Sequence, residues 1–399
     1  MIVSLLVFLL ILSVLVLIHE LGHFLVAKKF GIKVEEFGYG LPPRAWGKKI
    51  GETIYSINWL PIGGFVKLYG EDEAGAGRVT VKSTSGTLSV NSGPKTKNKK
   101  DEDRAFYSKS VAQRAAVVVA GVVMNVLLAI VIYYIFMFLS NFRTELPLLS
   151  EHKFFGVNQA VKEDIYINEV AKGSPASKTG IGQYDKLVEF NGKKIESVEF
   201  FTEQIRASKG QKVTLSWQDM ETGKVNSSSV TPRVDPPKGE GALGISFMPM
   251  RVAVLSYDTP AQKVLSGITH PANLALYNFS IMGKLIGISV EERSAAPIGG
   301  AVSGPVGIFK VVEEFLAKGD ILQLLNLAGL LSISLAIFNI LPIPALDGGR
   351  FFFILIEWVT GKKVNQRFET AAHSIGMAVL LGLIILITFK DIFQFIIPK

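Results

Sequence analysis

Residues 2–27 of the chain, IVSLLVFLLILSVLVLIHELGHFLVA, form an apolar run that contains the motif His19-Glu20-Leu21-Gly22-His23. The run is long enough to cross a hydrocarbon core of about 30 Å, so we predict a first transmembrane helix over residues 1–27. A secretory signal peptide fits poorly, because no basic region precedes the run and no small-residue cleavage site ends it. Since the first positive charges, Lys28 and Lys29, follow the run, we expect the N-terminus outside and the next loop in the cytoplasm.

The motif places two metal-binding side chains on one helix face. His19 and His23 lie about 40° apart and one turn along an α-helix, so both imidazoles can reach one tetrahedral zinc ion. Glu20 projects from the neighbouring flank, where it can activate a zinc-bound water as general base. A chance match is the alternative, but ionisable side chains in a lipid-crossing helix are costly unless they are paired or ligated. The motif therefore predicts a catalytic zinc site.

A distant side chain must complete this site, because a catalytic zinc ion usually has three protein ligands. The chain contains no cysteine, which excludes a thiolate ligand and a disulfide framework. Asp347, in Asn339-Ile-Leu-Pro-Ile-Pro-Ala-Leu-Asp-Gly-Gly349, follows two prolines that interrupt another apolar run. Unwound backbone is tolerated at membrane depth only against protein or a watery cavity, so we predict Asp347 as the third ligand rather than as a helix cap. No metal role is expected for the other histidines, His152, His270 and His373.

The composition is that of a protein partly in the membrane and partly in water. Hydrophobic residues make up 49% of the 399 residues and charged residues 19%, too apolar for a soluble domain and too charged for a purely membranous one. Further transmembrane helices are predicted over residues 111–140, 319–349 and 369–396. The third span carries the Leu346-Asp347-Gly348 motif. The net charge of +8 comes from basic residues beside apolar segments, which indicates cytoplasmic loops at 28–110 and 350–368 and no nucleic-acid partner.

The first cytoplasmic loop is predicted to contain a hairpin and an insert. Alternating apolar residues before Pro61-Ile-Gly-Gly64 predict a membrane-associated β-hairpin over residues 53–70. Residues 73–104 are rich in Gly, Ser, Thr and Lys and carry few large apolar groups. Such a segment buries too little surface to order itself, so we predict a flexible insert.

Two further regions separate the second and third predicted spans. Short alternating runs with turns such as Asn191-Gly192 predict a small, strand-rich soluble domain over residues 157–250. Residues 251–318 are apolar and helical in pattern, but Lys284 lies inside their most apolar stretch. An interfacial amphipathic region is therefore expected there rather than another span.

The order of these motifs resembles the site-2 protease family of intramembrane zinc metalloproteases, within it the bacterial RseP-like branch. The matching stretches are HELGH, Phe37-Gly-Tyr-Gly40, PIGGFVKLYGE, FYSKS, Ala120-Gly-Val-Val-Met-Asn125, SGPVGI and NILPIPALDGG. The resemblance implies Zn²⁺ as cofactor, held by His19, His23 and Asp347, with Glu20 as catalytic base. The implied fold is a multi-pass α-helical membrane protein of about four transmembrane helices, with a membrane-associated β-hairpin and one extracytoplasmic α+β PDZ-like domain.

The resemblance also implies substrate-binding residues. The hairpin would pair with substrate as an added strand; an ordinary structural hairpin is the alternative. Its residues would be Gly63, Gly64, Phe65, Val66 and Lys67. Asn125 would contact substrate or support the site, although an asparagine in a membrane helix more often hydrogen-bonds a neighbouring helix. Where the family commonly has Gly-Pro, this chain has Gly121-Val122.

The soluble segment resembles a PDZ domain, with one repeat visible. The resemblance lies in Gly173-Ser-Pro-Ala176 and in the following GIGQYDKLVEFNGKKI. Tyr184 replaces the glycine that usually precedes Asp185 in this pattern. The implied role is a steric filter that admits only substrates with small external parts; a groove that docks peptides is the alternative.

These features predict an enzyme that cleaves peptide bonds within transmembrane segments of single-pass membrane proteins, for example an anti-sigma factor or a remnant signal peptide. The implied location is the lipid bilayer of the bacterial cytoplasmic (inner) membrane, with the PDZ-like domain outside and the active site towards the cytoplasm. A non-catalytic PDZ scaffold and a metal transporter are the alternatives. The complete motif argues against a scaffold, and one compact site with a base argues against a transporter. The sequence does not indicate an oligomeric state.

Overall fold

The computed structural model describes residues 1–71, 102–220 and 222–395. Its helices and strands are, in chain order, α1 (Ile2–Lys29), β1 (Val34–Ile50), β2 (Thr53–Leu68), α2 (Val111–Leu139), β3 (Arg143–Pro147), β4 (Asn158–Val170), β5 (Lys186–Phe190), β6 (Lys193–Lys194), α3 (Val198–Ala207), β7 (Val213–Gln218), β8 (Val225–Val230), β9 (Ile245–Ser256), α4 (Pro260–Glu291), α5 (Ala296–Ala301), α6 (Pro305–Ala317), α7 (Ile321–Ile340), α8 (Asp347–Thr360) and α9 (Gln366–Phe395). They belong to two units. The first comprises Met1–Tyr134, Leu285–Leu316 and Ile321–Lys399, and the second Ile135–Lys284 and Ala317–Asp320.

Four helices of the described chain are long and apolar enough to cross a membrane. They are α1, α2, α7 and the Arg367–Gln394 part of α9. Each can satisfy its own backbone hydrogen bonds, which is what a lipid environment requires. Outward side chains of α9 such as Ile375, Val379 and Leu386 are exposed, as expected for a surface that faces lipid.

The third predicted span, residues 319–349, is shorter in the structure than expected. Its helix α7 ends at Ile340, and a new helix, α8, begins at Asp347. Pro342 and Pro344 explain the break, because proline lacks a backbone N–H and disfavours helical backbone in the preceding residue.

β1 and β2 form an antiparallel pair in the first unit. Their tight turn contains Gly51, whose φ of +63° suits glycine. β2 bends back along β1, because Tyr39 of β1 pairs with both Ile57 and Gly64 of β2. The first part of β1 therefore lies between two segments of β2.

The hairpin predicted over residues 53–70 is only part of this arrangement. Its partner strand is β1, which begins at Val34 and which the alternating pattern did not reveal. The predicted turn at Pro61-Ile-Gly-Gly64 lies inside β2, between its two registers with β1. Gly63, with φ of +84°, allows the strand to bend there.

Charged side chains tie the hairpin turn to the end of α1. The Glu52 carboxylate accepts hydrogen bonds from Arg104 at 2.8 Å and from Lys28 at 2.6 Å. These two hydrogen bonds lower the pKa of Glu52 to about 2. Most of the predicted insert, residues 73–101, lies outside the described residues.

The SGPVGI motif begins helix α6, and α9 holds it in place. The buried Asp391 carboxylate accepts hydrogen bonds from the backbone N–H groups of Gly304 and Gly307, both at 2.8 Å. These groups lie at the start of α6, where N–H groups have no partner within the helix. Phe309 of α6 packs edge-on against Phe8 of α1, with ring centroids 6.0 Å apart.

The second unit contains a sheet with the strand order β3-β9-β4-β5-β7-β8, and β6 pairs with β5. Helix α3 packs on its core through Phe201, which contacts Phe190 and Phe247 edge-on. The sheet is wider than the predicted domain of residues 157–250. It includes β3, and β9 continues to Ser256, because its last residues pair with both β3 and β4.

The predicted interfacial region, residues 251–318, consequently begins inside β9. The rest of it forms α4, α5 and α6. Helix α4, which contains Lys284, is not among the candidate membrane spans of the described chain. An interfacial position for this segment stays a prediction.

Tyr184 adopts the left-handed backbone conformation that glycine favours. Its φ is +69°, at the position where the PDZ pattern usually has glycine. The Tyr184 N–H donates to the Ile167 carbonyl at 2.7 Å, and the Asp185 carboxylate accepts from Gly182 N–H at 2.7 Å. Both hydrogen bonds therefore form although tyrosine occupies the position where glycine is usual.

Candidate active site and metal centre

Two glycines allow α1 and α2 to approach closely at the histidine motif. A β-carbon on Gly22 would lie 2.4 Å from the Ala120 carbonyl oxygen. A β-carbon on Gly121 would lie 2.4 Å from Nε2 of His23 and 2.7 Å from Nε2 of His19. Non-bonded atoms cannot approach this closely, so only glycine fits at both positions.

Side chains from two distant segments of the chain meet at this crossing. The Asp347 Oδ2 atom lies 2.9 Å from Nε2 of His19 and 3.2 Å from Nε2 of His23. The two Nε2 atoms are 3.2 Å apart. Asp347 is the first residue of α8, and Leu346 occupies the N-cap position before it, so Asp347 is not the cap residue of this helix.

Hydrogen bonds orient both imidazoles towards the shared point. Nδ1 of His23 lies 2.8 Å from the Val117 carbonyl oxygen, which can only accept, so Nδ1 carries a proton and points Nε2 towards the other two side chains. Nδ1 of His19 lies 3.3 Å from Nδ2 of Asn125. The Oδ1 atom of Asn125 is buried without a hydrogen-bond partner. Turning this amide over would let Oδ1 accept from Nδ1–H of His19, which is the usual support for a metal-binding histidine.

These donors fit a zinc ion. Two imidazoles and one carboxylate form a typical catalytic donor set, which leaves one coordination position open. Tetrahedral zinc with bonds of ~2.0–2.1 Å separates neighbouring ligand atoms by about 3.3 Å, close to the spacing seen here. The space that a β-carbon of Gly121 would fill lies beside both Nε2 atoms. Among the described residues, His19, His23 and Asp347 are the one group of three or more metal-binding side chains close enough to share an ion.

The loop between α7 and α8 is held by a residue that the sequence analysis set aside. Ala345 has φ of +82°, and its N–H donates to Nδ1 of His373 in α9 at 2.8 Å. A β-carbon on Gly376, one turn along α9, would lie 2.4 Å from the Pro344 carbonyl oxygen. His373 is therefore absent from the metal group but supports the strained loop that leads to Asp347. No local pattern could have revealed this role, because the two residues are 28 positions apart.

Glu20 faces cavities on two sides of the metal group. One cavity, of about 230 Å³, is lined by His19, Glu20, Asn125 and Asp347 and also by Asn339, which the sequence analysis did not single out. We call the other the inner cavity. It measures about 200 Å³, and the residues that line it include Glu20, His23, Phe65, Val66 and Asp347. The Glu20 carboxylate can therefore contact molecules in either cavity.

The hairpin lies against Glu20 along part of the predicted substrate segment. A β-carbon on Gly64 would lie 3.3 Å from Cγ of Glu20. Phe65 and Val66 line the inner cavity, whereas Lys67 pairs with Glu35 at 2.9 Å. Gly63 is near Leu41 rather than near the metal group. The structure thus brings Gly64, Phe65 and Val66 to the site, and the other two residues flank it.

The remaining two histidines belong to the second unit. His152 packs against Phe154 and Tyr277, with ring centroids 4.7 and 5.1 Å away. His270 is buried, and its Nδ1 lies 3.3 Å from the Tyr257 hydroxyl. Within the described ranges neither histidine joins a metal-binding group.

Comparison with known proteins identifies the family of this chain. The model of peptidase family M50 matches residues 7–383. The chain is 30% identical to the zinc metalloprotease RasP of Geobacillus kaustophilus, over 98% of each chain. It is 28% identical to the regulator of sigma-W protease RasP of Bacillus subtilis, over 96% of this chain and 97% of that protein. A solved PDZ domain of the SdrC-like protein of Listeria innocua matches 21% of this chain and 91% of its own, with 24% identity and a TM-score of 0.19.

The family match covers both apolar segments that supply the clustered histidines and aspartate, as well as the domain between them. The family is zinc-dependent, which agrees with the donor set. This chain is therefore a membrane-embedded zinc metalloprotease and belongs to peptidase family M50, the site-2 proteases.

Proposed function

We propose that this protein hydrolyses peptide bonds within the transmembrane segments of single-pass membrane proteins, using Glu20 as base and zinc held by His19, His23 and Asp347. The observation that carries the proposal is the meeting of the three ligand atoms at 2.9–3.2 Å. Two of them come from a helix that is long enough to span the membrane. Three donors within lipid depth would be costly without an ion or a proton to share.

The chemistry assigned to Glu20 is proton transfer. Zinc held by these side chains supplies a Lewis acid that polarises a peptide carbonyl and makes water more acidic. Glu20 takes a proton from the attacking water and gives it to the nitrogen of the departing peptide, so the carboxylate is regenerated in each cycle. Its position beside both cavities supports this role.

We assign substrate pairing to β2. Residues Gly64–Leu68 pair with β1 on one side, and in the described part of the chain no strand pairs with their other side. A transmembrane helix offers no free backbone until it unwinds, and a free strand edge can replace the hydrogen bonds that unwinding breaks. Because Gly64 lies against Glu20, a strand added at this edge would run past the base.

The proposed orientation follows from the basic residues. Lys28 and Lys29 end α1, and Lys362 and Lys363 lie between α8 and α9. Positive charges beside spans favour the cytoplasmic side, so we place the hairpin and the metal site towards the cytoplasm. The second unit then faces outwards, where it can exclude substrates with large external parts or dock their peptides.

The substrates we propose are an anti-sigma factor or a remnant signal peptide. The name of the Bacillus subtilis relative, regulator of sigma-W protease, supports the first. The alternatives of a non-catalytic scaffold and a metal transporter have weaker support. A scaffold needs no base beside a complete donor set, and a transporter needs several sites along a path, whereas the described chain has one such group.

The test is metal analysis of the purified protein together with cleavage of a panel of single-span substrates. We expect about one zinc per chain in both wild type and Glu20→Gln. The Glu20→Gln variant should lose about 10²–10⁴-fold in rate, the usual contribution of a general base. Glu199→Gln, at an exposed position on α3, is the matched control and should cleave normally. Normal cleavage by Glu20→Gln would refute the assignment of the base.

A further inference from the structure

The inner cavity adjoins a second cavity on the side away from the metal group. This outer cavity has a volume of about 180 Å³ and is lined by charged residues that include Arg114, Glu357, Lys363 and Glu369. The two cavities share four wall residues, Glu71, Phe106, Val118 and Arg350. The metal site and the charged outer cavity are thus separated by a single layer of side chains.

An ion pair forms the polar part of this layer. Nη1 of Arg350 lies 2.7 Å from Oε1 of Glu71. Arg350 is one turn after Asp347 on α8, and the Glu71 carboxylate also accepts from the Leu68 N–H at 3.2 Å. The pair therefore connects the helix that begins with the metal ligand to the end of β2.

A second ion pair holds the far end of α8. Nη2 of Arg114 lies 2.6 Å from Oε1 of Glu357, and both side chains are mostly buried. This contact anchors α8 to the start of α2 independently of Arg350. Loss of the Arg350–Glu71 pair should therefore open the wall locally without releasing α8.

Both cavities can hold water. Each cavity, at about 180–200 Å³, is far larger than the ~10–15 Å³ that one water molecule needs. Buried spaces lined by charged groups are hydrated, whereas apolar ones stay dry. Hydrolysis consumes one water molecule per bond cleaved, and the layer of lipid around the site supplies none. Two hydrated cavities with one ion pair between them could supply this water.

We propose that the Arg350–Glu71 ion pair is a gate between the outer cavity and the metal site, and that its position is coupled to β2. The coupling rests on the proposed function of β2 in substrate pairing: a shift of β2 moves Leu68 and hence the Glu71 carboxylate. The closed pair limits exchange of water and ions between the outer cavity and the inner cavity. Movement of β2 separates the pair and connects the two cavities.

The gate can be tested with thiol labelling, because the chain has no natural cysteine. Val117→Cys places a thiol in the wall of the inner cavity only, and Val364→Cys places one in the wall of the outer cavity only. Each is labelled in the zinc-loaded, full-length protein in vesicles, without substrate, by a sulfonated methanethiosulfonate added on the side of the basic loops. The zinc content of every variant is measured alongside.

We expect Arg350→Met to speed labelling of the Val117→Cys thiol about tenfold or more, because loss of the ion pair lowers the free energy of local opening. Labelling of the Val364→Cys thiol should not change. Glu71→Gln should act like Arg350→Met, and the exchanged pair Glu71→Arg with Arg350→Glu should restore slow labelling of the inner thiol.

Equal labelling of the inner thiol with and without Arg350→Met would overturn the gate. Failure of the exchanged pair to slow labelling would overturn the role of the ion pair. If Arg350→Met does not fold, Glu71→Gln and Arg350→Lys give the same comparison with smaller changes. The labelling uses no substrate, so its failure would leave the Glu20→Gln result intact, and a protein that cleaves nothing could still show the gate.

Discussion

Oδ2 of Asp347 lies 2.9 Å from Nε2 of His19, although 328 positions separate the two residues in the chain. The contact depends on a broken helix. Because α7 stops before Pro342 and α8 begins at Asp347, the carboxylate can point at the histidine helix instead of being one more group along a continuous span. Zinc binding should therefore depend on the three side chains, on the groups that orient them and on the backbone that brings them together.

Loss of one ligand should release zinc. We expect Asp347→Ala and His23→Ala each to weaken zinc binding by more than ~100-fold, beyond the 10–100-fold effect of losing an outer partner. Competition with a chromogenic chelator measures the Kd. His152→Ala removes a histidine that lies outside the metal group and should leave zinc binding unchanged. Zinc bound as tightly by Asp347→Ala as by wild type would contradict the assigned donor set.

Asn125 should act through His19. Asn125→Ala removes the group that orients this imidazole and should weaken zinc binding about 10–100-fold. Asn125→Asp, which still offers an acceptor to Nδ1–H, should bind zinc more tightly than Asn125→Ala. Ser332→Ala is the control, since the Ser332 hydroxyl donates to the backbone oxygen of Asn125 at 2.8 Å and does not touch the imidazole. Equal zinc affinity of the two Asn125 variants would show that the amide does not support the ligand.

A methyl group at Gly121 should displace the ligands. The added carbon of Gly121→Ala would lie within 2.7 Å of both Nε2 atoms, and overpacking of this kind costs about 1–3 kcal/mol. We expect zinc affinity to fall about 10–100-fold while the protein still inserts into membranes. Gly287→Ala in α4, where a β-carbon meets no atom within 4 Å, should behave as wild type. Tight zinc binding by Gly121→Ala would mean that the helices separate easily at this point.

His373 should stabilise the ligand loop. His373→Ala leaves the Ala345 N–H without its acceptor, at a cost of about 1–3 kcal/mol. Hydrogen exchange should speed up in residues 341–346, and zinc affinity should fall. His373→Gln provides a side-chain oxygen that can accept the same hydrogen bond and should restore part of both properties. Unchanged exchange in His373→Ala would rule out this support.

The second unit should lose stability in acid through His270. Burial lowers the pKa of His270 from near 6.5 to about 3, so the unfolded chain binds the proton first as the pH falls. The free energy of unfolding of the second unit is therefore unaffected by His270 above about pH 6.5. Between about pH 6.5 and 3 it decreases as the pH falls, by at most ~1.4 kcal/mol per pH unit.

Denaturant unfolding at several pH values, followed by fluorescence of the buried Trp217, measures this effect. His270→Leu should remove the acid-dependent part, because leucine does not titrate. His152→Ala should retain it. An unfolding free energy of wild type that is constant from pH 6.5 to 4 would contradict the assignment.

The amino-acid sequence alone was enough to locate four long apolar helices, the histidine motif and the aspartate that meets it in the structure. These properties are local: an apolar run long enough for lipid, two histidines one turn apart, and a carboxylate after paired prolines all follow from spacing along one segment. The sequence also indicated the strands of the second unit, since their alternation is local too.

Tertiary structure decided which groups support the site and how the chain reaches it. Several contacts join residues from separate segments of the chain. They are the pairing of β1 with β2, the close approach of α1 and α2 at Gly121, the hydrogen bond between His373 and Ala345, and the Arg350–Glu71 ion pair. Spacing along the chain carries no information about such pairs, because packing of helices and strands against one another sets their distances. The sequence thus determined the chemical groups available for catalysis, and only the fold decided which of them share one site.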